Sequence, residues 1–285
     1  MISTIPSLSP IAIKSAVQDA LSEDFGLHGD ITSSAIISSE ETAKAVLTAR
    51  DSGIIAGIAI AHATFFELDE KVHFIANVRD GEEVKKGTKL AVIKGSARAL
   101  LGGERVALNY LCHLSGIASY TAKFVKLIQH THAKVCCTRK TIPGLRTFEK
   151  FSVKCGGGSN HRYSLGDAIL IKDNHISVAG GVIQAIKKAR NFCGHLLKIE
   201  VEVNSIDELK LALTAKPDIV MLDNMTPYEL RKGVELVDRI IPIEASGNVS
   251  IDTIKEIAET GVDYISTSQL TMNAPILDLS LDVVI

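Results

Sequence analysis

Hydrophobic positions along the chain change period twice. After Ser9-Pro10, a serine followed by proline at a first helical position, Ile13, Val17 and Leu21 recur at helical spacing. They predict a helix as far as about Glu23 with Ser9 as its N-cap. The segments 43–49, 72–78 and 89–94 are short and rich in branched residues, with Asp-Gly and Lys-Gly turn signals between the last two. These read as strands, and 80–87 reads as a hairpin. From Leu100 to about Gln129 apolar residues return at helical spacing, while propensity drops at Ser115-Gly116. A break is expected there, giving two helices that bridge two domains.

The remainder has another character. Candidate strands at 133–137, 168–171, 198–203, 219–222, 241–245 and 264–267 alternate with amphipathic helical stretches, the pattern of a parallel sheet with crossover helices. A complete eight-fold barrel takes about 250 residues and only about 140 remain, so a closed barrel has to be shortened. Arg139, Lys140, Lys172, Glu202, Asp223, Ser246 and Ser268 all fall at or just past the carboxyl ends of these strands, where α/β barrels carry their chemistry. That placement favours an incomplete or small α/β barrel over a doubly wound sheet.

Composition narrows the function. The formal net charge of -2 on 285 residues lacks the domain-wide cationic excess that nucleic acid binding requires, so basic chemistry must be local. The longest uncharged stretch, Ser52 to Phe66, is too short to cross a bilayer. The opening residues show neither the basic start nor the apolar run of a secretory signal, so a cytoplasmic protein without membrane association is expected. Five cysteines without C-x-x-C spacing argue against a disulfide framework and against a zinc site.

The local basic chemistry is easily found. Thr138-Arg139-Lys140-Thr141, Gly156-Gly157-Gly158-Ser159-Asn160-His161-Arg162 and Lys172-Asp173-Asn174-His175 gather Arg139, Lys140, His161, Arg162 and Lys172 in a short span. Arginine forks and lysine point charges together suit a small ligand bearing several anionic groups. Each residue alone fits an ordinary solvated loop; the triple glycine tips the balance, because it lets backbone N–H groups approach a ligand closely. Glu202 and Asp223 are acids at the ends of apolar strands, and a buried carboxylate needs a partner or a metal. Two hard oxygen ligands beside phosphate suit Mg²⁺; a salt bridge to Lys140 or Lys172 is the alternative, and both can hold. Glu200 shares the strand parity of Glu202, so parity does not decide which reaches the ligand. Glu244-Ala245-Ser246-Gly247-Asn248 and Ser266-Thr267-Ser268-Gln269 stand where barrels bind phosphate, although Asn248 or Ser250 also fits plain capping of the next helix.

Taken together, the runs ERVALNYLCHLSGIA, TRKTIPGLRTFEKFSVKCGGGSNHRYSL and DAILIKDNHI, followed by IEVEV, IVMLDNM, IEASGN and LDLSLD, resemble the quinolinate phosphoribosyltransferase family over nearly the whole chain. The resemblance implies an N-terminal α+β open-sandwich domain at 1–115 with a bridging helix, joined by the tail at about 275–285. It implies a seven-stranded, incomplete α/β barrel at 116–274. It also implies a homodimer or larger assembly in which Arg105 reaches the partner's barrel.

By position, Arg139, His161, Arg162 and Lys172 match the family's holders of the two quinolinate carboxylates. Lys140, Glu202 and Asp223 match the surroundings of the ribose and Mg²⁺-pyrophosphate, with Glu202 and Asp223 as metal ligands. Ser246, Gly247, Asn248 and Ser268 fall in the phosphate loops. Asn248 and Ser268 stand where the family commonly has glycine, Met272-Asn273 where a His-Ser pair is frequent, and Cys137 where aspartate often precedes Thr-Arg-Lys. The competing readings are a transferase acting on nicotinate, the molybdenum-associated paralogue, and a non-catalytic anion-binding protein. Two substrate carboxylates call for more cationic groups than one, which favours quinolinate.

Overall fold

A computed structural model describes residues 5–284, which divide into two compact units. The first takes 5–122, Thr147–Gly157 and 274–284; the second takes Lys123–Arg146 and Gly158–Asn273. The first opens with helices α1 (Pro10–Phe25) and α2 (Ile31–Ile36), then strands β1 (Thr42–Ala49) and β2 (Gly53–Ile54). Helix α3 (Ile58–Leu68), strands β3 (His73–Ala76), β4 (Glu83–Val84) and β5 (Lys89–Ser96), and the long helix α4 (Ala97–Ile128) follow. The second unit contains β6 (Lys134–Cys136); α5 (Arg146–Cys155) returns almost wholly to the first. Then come β7 (Ile169–Ile171), α6 (Asp173–Ala179), α7 (Val182–Phe192), β8 (Ile199–Val203), α8 (Ile206–Thr214), β9 (Ile219–Asp223) and α9 (Pro227–Val237). The second unit closes with β10 (Ile243–Ser246), α10 (Ile254–Ala258), β11 (Tyr264–Ser266) and α11 (Gln269–Met272), and β12 (Leu279–Val284) rejoins the first.

In the first unit an antiparallel sheet runs β12-β1-β5-β3. Ala45, Leu47 and Ala49 alternate inward from β1 and meet Leu90 and Ile93 of β5, Phe65 of α3 and Leu100 and Leu111 of α4. Burying each large side chain of this set is worth about 1.5–3 kcal/mol. Helix α1 starts at Pro10 as expected, but the Ser9 side chain makes no capping hydrogen bond. Its carbonyl accepts from Ile13 N at 3.0 Å instead.

Two local expectations are corrected. Helix α4 runs unbroken through Ser115-Gly116. Those residues serve packing: Ser115 Oγ accepts from Ala56 N at 3.0 Å, and a Cβ on Gly116 would lie 2.2 Å from the Pro275 carbonyl oxygen. Residues 80–87 are not a hairpin either. β4 pairs with β2, inside the connection of an antiparallel β3–β5 pair. Asp80 accounts for this, because its Oδ1 accepts from Gly57 N (2.7 Å) and Ile58 N (3.0 Å) at the start of α3; burial pushes its carboxyl up from the usual range.

In the second unit six parallel strands pair in the order β6-β11-β10-β9-β8-β7. β8 is buried at all its positions, as a parallel strand covered on both faces should be. Helix N-termini are set by ordinary chemistry: Ser205 Oγ accepts from Glu208 N, and Thr226 and Glu229 form a capping box with Pro227 at the first turn. The seventh strand expected for the barrel is reduced to one bridge between Ser159 and Cys136, with Ser159 N donating to Val135 O at 2.8 Å. The glycine run that precedes it has no side chains to hold an extended strand. Among the described residues no strand pairing joins this segment to β7.

Candidate active site

The carboxyl ends of the six strands surround a cavity of about 870 Å³. Register places its polar side chains on one face: Asp223 pairs beside Ser246, and Met221 lies beside both Glu202 and Glu244. Arg139, Lys140, His161, Arg162, Lys172, Glu202, Asp223, Ser246, Gly247, Asn248 and Ser268 all line the cavity. Arg105 does not. It is exposed on α4, in the first unit.

One wall is cationic. Arg162 Nη1 donates to the Ala168 carbonyl at 2.8 Å, yet its Nε is buried with no acceptor, as is the Nε of Arg139. Burial and then the charge of Arg139 lower the pKa of Arg162. Two guanidiniums that repel each other and carry buried donors without acceptors cost stability unless a ligand anion supplies the acceptors. The Arg139 carbonyl is held by Arg146 Nη2 at 3.3 Å. The Lys140 carbonyl accepts from Thr271 Oγ1 at 2.7 Å, so the backbone under both residues is fixed. Cys137 is buried and donates its S–H to Asn160 Oδ1 at 3.2 Å.

The acidic residues separate by depth. Glu202 sits near the mouth, with Oε2 accepting from Lys172 Nζ at 2.6 Å. Glu200 lies one layer lower, with Oε2 at 2.8 Å from His161 Nε2. Glu202 lines the cavity, and Glu200, which does not, backs the histidine. Glu244, which lines the cavity, also approaches the histidine, at 3.8 Å from His161 Nε2. Burial and the neighbouring Glu200 push its carboxyl up to about 7, against the opposing pull of His161 and a hydrogen bond with Ser266. Glu200, Glu244 and His161 form a cluster whose ligand atoms lie within 4.8 Å of one another. The sequence signal for Glu244 was present, an acid inside an apolar strand, but its adjacency to Ser246-Gly247 drew the reading to the phosphate loop.

The loop after β10 passes close to the residue after β9. A Cβ on Gly247, whose φ is +91°, would lie 2.2 Å from Asn224 Oδ1, so only glycine fits. Asn224 Nδ2 donates to Asp223 Oδ2 at 2.6 Å, and Asn248 Nδ2 donates to Asn224 Oδ1 at 3.3 Å. Thr267 Oγ1 donates to the Val249 carbonyl at 3.1 Å and ties this loop to the one after β11. Ser250 does not open the next helix. Its N–H donates to Thr253 Oγ1 at 2.9 Å in an intervening turn, and α10 starts at Ile254. Met272 is exposed at the end of α11.

Known proteins match both the sequence and the fold. Residues 30–115 match the N-terminal domain, and 117–282 the C-terminal domain, of quinolinate phosphoribosyl transferase. The probable carboxylating nicotinate-nucleotide pyrophosphorylase of Bacillus subtilis is 42% identical over 276 residues, 97% of this chain and 95% of that protein. The Mycobacterium leprae carboxylating nicotinate-nucleotide pyrophosphorylase is 37% identical over 95% of this chain and 97% of its own length. The structure of the Francisella tularensis nicotinate-nucleotide pyrophosphorylase superposes with a TM-score of 0.94 at 37% identity, covering 100% of both chains. With the cavity, its cationic wall and its paired acids in place, these matches assign the chain to the quinolinate phosphoribosyltransferase family.

Proposed function

We infer that this chain transfers a phosphoribosyl group from phosphoribosyl pyrophosphate to quinolinate and releases carbon dioxide, giving nicotinate mononucleotide for NAD biosynthesis in the cytoplasm. The observation that carries the reading is the pair of guanidiniums, Arg139 and Arg162, whose buried Nε donors have no protein acceptor. A rigid dicarboxylate offers acceptors to both, and Lys172 and His161 stand on the same cavity. A monocarboxylate such as nicotinate would satisfy fewer of them. A purely anion-binding protein would not need Glu202 and Asp223 at the phosphate end.

The acids fit Mg²⁺. Glu202 and Asp223 come from adjacent strands and offer only oxygen, and Lys172 already engages one Glu202 oxygen. That weak, partly neutralised pair suits an ion that draws most of its ligands from the diphosphate. Bound there, Mg²⁺ would offset charge on the departing pyrophosphate.

The chain's own residues do the rest. Lys140 adds positive charge near the leaving group, while Ser246, Gly247 and Ser268 hold phosphate oxygens from the loops. Asp223 and Glu202 steady the oxocarbenium-like ribose carbon as its bond to pyrophosphate breaks and the pyridine nitrogen attacks. Arg139, Arg162, Lys172 and His161 hold the ring carboxylates so that the nitrogen faces that carbon. Once alkylated, the ring nitrogen is an electron sink. The bond from C2 to its carboxylate then breaks, the electron pair stays at C2 as an ylide, and C2 takes up a proton. The reading includes a homodimer or larger assembly with Arg105 supplied across subunits.

The test is release of labelled carbon dioxide from quinolinate labelled at the 2-carboxyl, with and without phosphoribosyl pyrophosphate and Mg²⁺, beside a nicotinate reaction followed by pyrophosphate. Release that requires both co-reactants is expected. Silence with quinolinate from folded protein, with pyrophosphate formed from nicotinate, would overturn the substrate assignment.

A further inference from the structure

Asp223 reaches the cavity from the end of β9, and its carboxylate is held by a side chain that is itself held by another loop. An ionised carboxylate only accepts hydrogen bonds, so the 2.6 Å contact fixes the Asn224 amide with Nδ2 toward Asp223 and Oδ1 away from it. Oδ1 then requires a donor, which Asn248 Nδ2 supplies at 3.3 Å. The three side chains form one directed relay from the phosphate loop to the acid.

The backbone is shaped for it. Asn224 and Asn248 both adopt left-handed conformations, with φ of +54° and +52°, which asparagine tolerates better than most residues. Gly247 between the loops has no Cβ, which lets Asn224 Oδ1 pass. The Asn248 carbonyl is tied to Thr253 Oγ1 at 3.3 Å, and the Asn224 N–H donates to Ser246 O at 2.9 Å.

We propose that Asn248 is a positioning residue: through Asn224 it fixes the orientation of Asp223, and so couples the phosphate loop after β10 to the acid that meets the diphosphate and its metal. The inference rests on the transferase reading of this cavity. A glycine at 248 would leave the loop in place and release the amide relay. Asn248 therefore tunes affinity for the phosphoribosyl donor without contacting the pyridine substrate.

The experiment is titration calorimetry of the full chain with Mg²⁺-pyrophosphate, for wild type, Asn248→Gly, Asn224→Gly and the double variant. Glycine accepts the left-handed backbone at both positions, so the fold is kept. Asn248→Gly should weaken binding about three- to tenfold, the worth of one hydrogen bond in a charged network. In the Asn224→Gly background the same change should add nothing, because the relay is already cut. In steady-state kinetics the KM for phosphoribosyl pyrophosphate should rise by more than kcat falls. Equal affinity of Asn248→Gly and wild type overturns the inference, as does full additivity, which would mean that Asn248 touches phosphate itself. A wild-type chain that binds no Mg²⁺-pyrophosphate overturns the transferase reading and this inference with it.

Discussion

At the level of single residues, two carboxyls, those of Glu200 and Glu244, are buried close together. Glu244 is buried beside Glu200, and its carboxyl rises to about 7. A carboxyl with a raised folded pKa binds its proton more tightly in the native state, so its contribution to stability is complete below about 4.5 and is lost as pH climbs through 7. Glu244→Gln cannot ionise and escapes that loss. Its melting temperature relative to wild type should rise by about 2–4 °C between pH 5 and pH 8, measured by scanning calorimetry at both values. A difference that stays constant over this range would show that Glu244 does not titrate between the two values. This residue also shows where sequence reading stopped. That Arg139, Lys172, Glu202 and Asp223 share one cavity was legible because charge at the end of an apolar strand needs a reason. The division of labour between Glu200 and Glu202 was not, since both face the same way and only their partners, His161 and Lys172, tell them apart.

The elements were legible where their sequence had a single reason to look as it does. The strands of the second unit read correctly because runs such as Ile199–Val203 and Ile219–Asp223 are short, rich in branched apolar residues and bounded by turns. Helix α4 misled because Ser115 and Gly116 weaken a helix locally yet are there for contacts with chain distant in sequence. The magnitudes can be set against each other at Gly116. Alanine would gain about 1 kcal/mol of helix propensity. Its Cβ, however, would meet backbone, the Pro275 carbonyl at 2.2 Å and Ile276 Cα at 2.9 Å, and overpacking against atoms that cannot rotate away costs about 1–3 kcal/mol. Gly116→Ala should therefore lower the chemical-denaturation midpoint. Gly194→Ala, where nothing lies within 4 Å of the new Cβ, should leave it near wild type. A midpoint for Gly116→Ala at or above wild type would mean that β12's lead-in moves aside. The glycine run before Ser159 also has a packing reason, since a Cβ on Gly156 would lie 2.3 Å from the Ala118 carbonyl oxygen of α4.

For the whole molecule, the sequence conveyed the class of fold and the family, and the chain passes between the two units several times. Arg105, exposed on α4, tests the proposed assembly. Arg105→Ala and Lys140→Ala should each be nearly inactive alone. After mixing and verified subunit exchange, about a quarter of wild-type activity should return, since half the dimers are mixed and each then holds one intact site. No recovery after exchange would place Arg105 outside a shared site. The crossing of the chain between units has a consequence for how the protein is made. β12 pairs with β1 from Lys44 opposite Val284 to Ala49 opposite Leu279. The ribosome delivers that edge only after the entire second unit has emerged. The first-made strands must wait, with one flank unprotected, for a segment more than two hundred residues downstream. A nascent chain stalled before β12 would present an open β edge to its neighbours, so the edge of β1 stays available to other chains throughout synthesis of the second unit.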